Sequence, residues 1–361
     1  MLTATVFIIV LSILIFVHEL GHFLTAKKAG MKVEEFGFGF PPRAWGIKRG
    51  ETIYSVNWIP FGGFVKILGE DGEHKDNHRS FAHAKPGIKS LVLVAGVTMN
   101  LLLAVALLSV GNYIGLRIGL SDSDLNGRVK DLKIQIVQIA DNSPAQKAGL
   151  LALDEIKGIK IGNTPEYFVQ KVADVQNIVN ANKGNRVILD IRRGSQEVDK
   201  EIIPRINPPA GEGALGISLA ATGIVNYPWY QAIYRGVQDT YFIARDTLFG
   251  YGLIIKNLFS TGKPGVELTG PVGIAVVTGQ AARLGFAYLI QFMSLISINL
   301  AILNILPFPA LDGGRLLFVI IEKIRRKPVS KKIENAVNAF GFALLLILMV
   351  YVTTKDVIKF F

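Results

Sequence analysis

Four long apolar segments constrain the fold of this chain more than any other feature of its sequence. A helix needs about twenty largely apolar residues to cross the hydrocarbon core of a bilayer. The segments that reach or approach this length are residues 2–26, 88–115, 285–306 and 336–353. Half of the 361 residues are hydrophobic, yet 19% are charged, so spans must alternate with water-exposed segments. The sequence therefore predicts a mainly α membrane protein with four transmembrane helices.

The first apolar segment has a second interpretation, a signal peptide that is removed after export. Residues 2–26 begin without a basic region and lack a small-residue cleavage pattern. They also contain the metal-binding motif described below. We therefore expect this segment to be retained as a span.

Basic residues predict which side of the membrane each connecting segment faces. Residues 27–89 contain eleven lysines and arginines. A second basic cluster precedes the fourth span: Lys323, Arg325, Arg326, Lys327, Lys331 and Lys332. Such loops remain cytoplasmic, so both termini and residues 116–284 are expected on the opposite side. The net charge is +11, and the basic residues cluster beside apolar runs. This placement favours lipid headgroups, and not nucleic acid, as the expected partner.

The motif His-Glu-Leu-Gly-His, residues 18–22, lies within the first apolar segment. In a helix, His18 and His22 project from one face and can hold a single zinc ion, while Glu19 reaches the water that the metal activates. The first charges that follow are Lys27 and Lys28, which places the motif roughly 13 Å below the lipid surface. The chain contains no cysteine, so any further ligand must be His, Asp or Glu. The motif predicts zinc-dependent hydrolysis inside a membrane span.

The remaining histidines are one source of a further metal ligand. His74, His78 and His83 lie in a polar loop among acidic residues and could form a second metal site. They lack a zinc-finger-like ligand spacing. A solvated cytoplasmic loop is the preferred interpretation.

Asp312 is the better candidate for the third ligand. It lies in residues 304–314, where two prolines and two glycines break the third span. Irregular backbone at membrane depth must face protein or a wet cavity, and a carboxylate there needs a neutralising cation. Zinc held by His18, His22 and Asp312 meets that need and leaves a position open for water. The alternative places Asp312 in the cytoplasm, at a helix end beside Arg315.

A β-hairpin region is predicted at about residues 52–67, on the cytoplasmic side. Residues 52–59 alternate polar and apolar side chains, and Gly62 and Gly63 permit a tight bend. An open sheet edge near the metal could hold an unwound substrate as an added strand. The alternative is a soluble hairpin in the cytoplasm.

An inserted α+β domain is predicted at residues 127–206. Its β-rich runs are residues 134–139, 187–192 and 198–203, with a helix at 169–182. The surrounding domains are residues 1–126, 207–284 and 285–361.

The segment 207–284 contains an apolar stripe at helical spacing. The stripe consists of Trp229, Ile233, Val237, Tyr241, Ala244, Leu248, Ile255 and Phe259. Because five charged residues occupy the opposite face, we expect a helix that lies on the membrane or the protein. A fifth span is the weaker alternative.

The two motifs at residues 18–22 and 304–314 together resemble the site-2 protease family of intramembrane zinc metalloproteases. The layout is similar to its bacterial regulator-of-sigma-E protease type, with four spans and an external PDZ domain. Further segments match this family, and they are residues 59–67, 79–86, 95–100 and 270–275. In the family, residues 59–67 correspond to a membrane-dipping β-hairpin.

The inserted domain resembles bacterial PDZ domains at one turn. Residues 143–150, Ser-Pro-Ala-Gln-Lys-Ala-Gly-Leu, match a PDZ signature, but Leu153 stands where those domains carry glycine. No Gly-Leu-Gly-Phe loop for a peptide carboxylate is evident. Peptide binding and simple filtering of substrates by size both remain open.

The resemblance implies a protease that hydrolyses peptide bonds within or near transmembrane segments in the bacterial inner membrane. Its expected partners are the bilayer, a peptide ligand of the PDZ domain, and single-span substrates such as anti-sigma factors or remnant signal peptides. Glu19 is the expected catalytic residue, with zinc on His18, His22 and Asp312. The expected substrate-binding residues are Asn299, Asn304, Gly62 and Gly63, although the two asparagines could equally make ordinary interhelical hydrogen bonds.

Two other functions are considered. A zinc transporter would use intramembrane histidine and aspartate, but it should show inverted repeats and paired broken helices. A noncatalytic PDZ scaffold anchored by the spans would not need Glu19. Cleavage of a reporter separates these functions from proteolysis.

Overall fold

The computed structural model describes residues 2–120, 129–162, 167–194, 196–209, 211–262, 265, 269–327 and 329–360. In chain order these residues form α1 Leu2–Lys28, β1 Val33–Arg49, β2 Thr52–Ile67, α2 Pro86–Ile114, β3 Leu116–Gly119, β4 Val129–Ile139, α3 Pro144–Lys147, β5 Glu155–Lys160, β6 Tyr167–Phe168, α4 Val172–Ala181, β7 Val187–Arg193, β8 Gln196–Ile202, β9 Ile217–Val225, α5 Trp229–Thr261, α6 Pro271–Leu284, α7 Phe286–Ile305, α8 Asp312–Arg325 and α9 Lys331–Phe360. They divide into two compact units, one of Met1–Gly111 with Trp229–Phe361 and one of Asn112–Pro228.

Within the described part of the chain, four helices are long and apolar enough to cross a bilayer. They are α1, α2, α7 and α9. The four predicted segments fall on these helices, so the prediction of a four-span protein is confirmed at the level of length and composition. Much of their surface remains exposed in the protein, as expected for helices whose outer faces meet lipid rather than water.

The first unit also contains a sheet of β1 and β2. In this sheet residues 33–38 pair antiparallel with 63–67 and residues 43–49 with 52–57, while residues 35–40 run parallel to 53–59. Its register shows four segments in the order 43–49, 52–57, 33–40 and 63–67. Buried aromatic and aliphatic side chains hold the sheet against α1: Phe36 stacks on Phe23 with ring centroids 4.7 Å apart, and Val33 is fully buried in the same cluster. The sheet is thereby fixed beside the helix that carries residues 18–22.

The predicted hairpin needs correction. Its turn lies at Gly50 and Glu51, and pairing begins at Val33, well before residue 52. Gly62, with φ at +82°, lies where β2 bends back on itself, so the predicted bend is present but is not the hairpin turn.

The turn is tied to neighbouring elements by its glutamate. Glu51 accepts hydrogen bonds from Arg79 at 2.6 Å and from Lys27 at 3.1 Å. These two cations lower the pKa of Glu51 to about 2. Glu51 therefore keeps its charge at every physiological pH and links the hairpin turn to the end of α1.

Helix α5 carries the predicted apolar stripe, and most of that stripe is exposed. The buried face of α5 is instead formed by Ala232, Gly236 and Thr240. Gly236 packs against Ser109 of α2, so closely that an added Cβ would come 2.8 Å from the Ser109 backbone nitrogen. Among the described residues α5 is not one of the candidate spans. This arrangement agrees with a helix that packs on the protein and turns its apolar stripe outward.

The second unit is a small α+β domain. Its strands form a sheet in the order β3-β9-β4-β5-β7-β8, with β6 beside β5. Aliphatic side chains from the sheet and α4 form one buried core: Ile134, Ile136, Ile156, Ile159, Val175, Val187, Leu189 and Ile191. The predicted strands and helix lie on β4, β7, β8 and α4. The predicted boundary between residues 126 and 127 lies outside the described residues.

Candidate metal centre

His18 and His22 lie on α1 and both are buried, each 7% exposed. Their ring centroids are 4.8 Å apart and the rings are nearly perpendicular, at 80°. The Nε2 atoms approach to 3.2 Å. Two imidazoles one helical turn apart thus direct the same ring nitrogen toward one point, as the motif predicts.

Asp312 reaches this point because the chain breaks after α7. The segment from Leu306 to Leu311 is irregular, and Ala310 adopts φ of +71° before α8 begins at Asp312. Gly313 and Gly314 lie directly against the carbonyls of this segment, where an added Cβ would clash with Phe308 and Leu306 backbone atoms. The glycines therefore allow the first turn of α8 to fold back against the end of α7 and present the carboxylate.

The three side chains converge on one position. Asp312 Oδ2 lies 3.0 Å from His18 Nε2 and 3.2 Å from His22 Nε2. Donor atoms bound to tetrahedral zinc at roughly 2.0–2.2 Å lie about 3.3–3.6 Å from one another, slightly farther apart than these three atoms. The observed separations fit that geometry, and the donor set of two imidazoles and one carboxylate leaves a fourth position open. Among the described residues, these three form the one group arranged to hold a metal ion.

Helix α2 forms the wall behind the two imidazoles. His22 Nδ1 donates a hydrogen bond to the Val92 carbonyl at 2.8 Å, which leaves Nε2 free as the coordinating atom. One turn further along, Gly96 lies so close that an added Cβ would be 2.7 Å from His18 Nε2. Sequence reasoning missed both residues: a carbonyl carries no sequence signal, while Gly96 lies in the matched segment 95–100.

Glu19 faces the bend of β2. An added Cβ at Gly63 would lie 3.7 Å from Glu19 Cγ, and one at Gly62 would lie 3.1 Å from the Ile15 side chain. Ser12 Oγ donates to the Pro60 carbonyl at 2.7 Å, which holds the bend against α1. Two of the predicted substrate-binding residues, Gly62 and Gly63, are therefore beside the predicted catalytic glutamate.

The two predicted asparagines have different surroundings. Asn299 accepts a hydrogen bond from Tyr251 of α5 at 2.7 Å, and its Nδ2 donates to the Leu295 carbonyl of its own helix. Asn304 is half-buried near the end of α7. A role in substrate binding stays a prediction for both, and Asn299 also makes the interhelical bond that was the alternative.

The loop histidines lie away from the three-residue cluster. His78 Nδ1 and His83 Nε2 are 2.9 Å apart, and His83 Nδ1 donates to the Lys75 carbonyl. No third ligand joins them among the described residues. The preferred interpretation as a polar loop agrees with this arrangement.

Arg315, the neighbour of Asp312 in the alternative placement of that acid, pairs with Glu70. Its Nη1 donates to Glu70 Oε1 at 2.5 Å, and the guanidinium lies 5.7 Å from the Phe81 ring centroid. Burial opposes the charged form, but the attraction of Glu70 outweighs it and raises the pKa of Arg315. This contact fastens α8 to the loop between β2 and α2, one turn after Asp312.

Known proteins are similar to this chain over nearly its whole length. Residues 6–348 match the description "Peptidase family M50". The chain belongs to peptidase family M50, the site-2 protease family. Relatives match nearly all of it: a protein of Clostridium perfringens assigned as a zinc metalloprotease is 39% identical over 353 residues, with 96% of each chain covered.

Two further relatives carry the name zinc metalloprotease RasP. The protein from Geobacillus kaustophilus is 31% identical over 435 residues, covering 98% of this chain and 97% of the relative. The protein from Oceanobacillus iheyensis is 28% identical over 445 residues, covering 100% of both chains. The M50 match and these names confirm the prediction of a zinc metalloprotease. With the four apolar helices, they also confirm a multi-pass membrane protein.

Proposed function

We propose that this protein is an intramembrane protease that hydrolyses peptide bonds within or near the transmembrane segments of single-span membrane proteins. The observation that carries the proposal is the convergence of Asp312, from α8, with His18 and His22 beside Glu19, on α1, which is apolar enough to span the bilayer. Because this centre lies in α1 below its basic end, Lys27 and Lys28, a bond cleaved here belongs to a membrane-embedded or juxtamembrane segment.

His18, His22 and Asp312 hold the metal, and Glu19 moves the proton. A zinc ion held by these three residues would act as a Lewis acid toward the scissile carbonyl and would make water more acidic. Glu19 accepts a proton from the attacking water and delivers it to the departing amine, so that one water is consumed for each peptide bond broken. Asp312 binds metal without taking part in proton transfer.

The bend at Gly62 and Gly63 supports a way to present the substrate. Peptide bonds in a helix are shielded by their own hydrogen bonds, so a transmembrane substrate must unwind before cleavage. Residues 63–67 pair with β1 on one side, and no strand pairs with their other side in the described part of the chain. An extended substrate added at this edge would run beside Glu19. Asn304, near the broken end of α7, is a second proposed contact.

The basic loops support a cytoplasmic position for the metal centre in a bacterial inner membrane. The unit Asn112–Pro228 then lies on the external side, as a PDZ domain. Residues 213–217, Gly-Ala-Leu-Gly-Ile, lead into β9, and with α4 they line a cavity of about 350 Å³. Capture of a peptide end is proposed there, and candidate substrates include trimmed anti-sigma factors and remnant signal peptides in regulated intramembrane proteolysis.

The decisive experiment is Glu19→Gln in the full-length protein. We expect cleavage of a membrane-embedded reporter to fall by about 10²–10⁴-fold, with zinc content unchanged by elemental analysis. Glu322→Gln on α8 is the matched control and should cleave normally. Cleavage by Glu19→Gln at the wild-type rate would refute the assigned role. If the variant lost both its zinc and its cleavage activity, Glu19 would be a structural residue instead.

A further inference from the structure

Three positions on one face of α2 meet the metal-binding imidazoles. Val92, Gly96 and Asn100 are spaced four residues apart and therefore lie along one stripe of the helix. Val92 holds His22 through its carbonyl, and Gly96 gives the rings room. Asn100 is the third member of the stripe, and its side chain faces the other imidazole.

Asn100 is fully buried, at 0% exposure, and its side-chain nitrogen lies 3.4 Å from His18 Nδ1. Its Oδ1 is buried without a hydrogen-bond partner among the described residues. The backbone of Asn100 is fixed from the other side, because Ser297 Oγ of α7 donates to the Asn100 carbonyl at 2.8 Å. The Asn100 amide is thus held in place next to His18, and its oxygen has no hydrogen bond among the described residues.

The chemistry of a coordinated imidazole explains the unpartnered oxygen. When His18 Nε2 binds zinc, Nδ1 carries the ring proton and needs an acceptor. A half-turn of the Asn100 amide exchanges its oxygen and nitrogen, which have nearly the same shape. The exchange brings Oδ1 to the place now taken by Nδ2, opposite Nδ1 of His18.

We propose that Asn100 is a positioning residue for the metal centre: it accepts a hydrogen bond from His18 Nδ1–H and so presents Nε2 to zinc. Helix α2 would then orient both imidazoles, one through the Val92 carbonyl and one through the Asn100 side chain. The inference rests on the zinc site of the proposed function, but it does not depend on the identity of any substrate.

Zinc affinity of the purified full-length protein tests this role without any measurement of proteolysis. Loss of such an orienting partner typically weakens zinc binding by about 10–100-fold. We expect a loss of that size for Asn100→Leu, which keeps the approximate shape but removes the acceptor, in competition with a chromophoric chelator. Asn100→Asp should restore the affinity, because a carboxylate accepts the same hydrogen bond. Ser294→Ala is the matched control: it removes a buried hydroxyl from α7 that donates to the Ile290 carbonyl of the same helix.

The outcomes separate positioning from packing. If Asn100→Leu and Ser294→Ala weaken zinc binding equally, or if Asn100→Leu binds zinc as tightly as the wild type, the inference is wrong. If Asn100→Leu does not elute as a folded, monodisperse protein in detergent, Asn100→Ala and Asn100→Asp are compared instead. Weaker binding by Ala alone supports the role, and equal binding overturns it. A protein that shows this pattern but never cleaves a reporter would retain the positioning role and lose the proposed function.

Discussion

The Asp312 carboxylate lies 3.0 Å from His18 Nε2, although 294 positions separate the two residues in the chain. The contact joins the first helix to the first turn of α8. It turns a two-histidine motif, which could bind metal only weakly, into a three-ligand centre. The first prediction tests that step directly.

Asp312→Ala should lower zinc affinity by more than about 100-fold, because removal of a ligand costs more than removal of a residue that merely orients one. Elemental analysis and chelator competition on purified protein measure the effect. Glu322→Ala removes a carboxylate from the same helix and should bind zinc normally. Unchanged zinc stoichiometry in Asp312→Ala would exclude Asp312 from the ligand set.

Gly96→Ala should disturb the same centre from the side that α2 forms. The new methyl group would come within 2.7 Å of His18 Nε2, so the rings or α2 must shift, which typically costs about 1–3 kcal/mol. We expect reduced zinc occupancy and a lower melting temperature in detergent. Gly87→Ala is the control on the same helix, because nothing lies within 4 Å of its added Cβ. Equal behaviour of the two variants would contradict the close packing described here.

Arg315→Ala should destabilise the first unit by about 1–3 kcal/mol, since it removes a charged hydrogen bond and leaves Glu70 without this cationic partner. Thermal unfolding in detergent measures this loss. Arg325 is exposed near the end of the same helix, and Arg325→Ala should leave the melting temperature within error of the wild type. A similar melting temperature for both variants would show that the contact with Glu70 does not hold α8.

Leu153→Gly should stabilise the second unit. Leu153 adopts φ of +71°, a conformation that costs a non-glycine residue roughly 1–2 kcal/mol, and glycine gives back about 0.5–1 kcal/mol of that through its unfolded-state entropy. The expected net gain is about 0.5–1 kcal/mol, visible as slower amide hydrogen exchange in residues 129–162. Leu151→Gly, at a nearby exposed site without positive φ, should speed exchange instead. Faster exchange in Leu153→Gly would mean that its side-chain packing outweighs the backbone strain.

The sequence predicted the elements that depend on periodicity. The four spans followed from apolar length, and the shared direction of His18 and His22 followed from their spacing along a helix. Asp312 could be found because prolines and glycines around an acid are costly in a membrane unless something compensates for them. In each case the physical constraint was local to a short stretch of chain.

Other features depended on contacts that no short stretch encodes. Strand β1 was missed because Gly37, Gly39 and two adjacent prolines interrupt its alternation, and only pairing with β2 stabilises it. The Val92 carbonyl belongs to the backbone and has no residue signature. Asn100 lay in a matched segment, but its importance emerged only when α2 was seen against the imidazoles.

The distance in sequence between the histidine motif and Asp312 has a consequence for biosynthesis. Ribosomes add about 5–20 residues per second, so tens of seconds separate the appearance of the first two ligands from that of the third. During that interval the nascent polypeptide lacks a complete catalytic centre. Because the proposed centre needs all three side chains, we expect the enzyme to have no proteolytic activity until α8 has been synthesised.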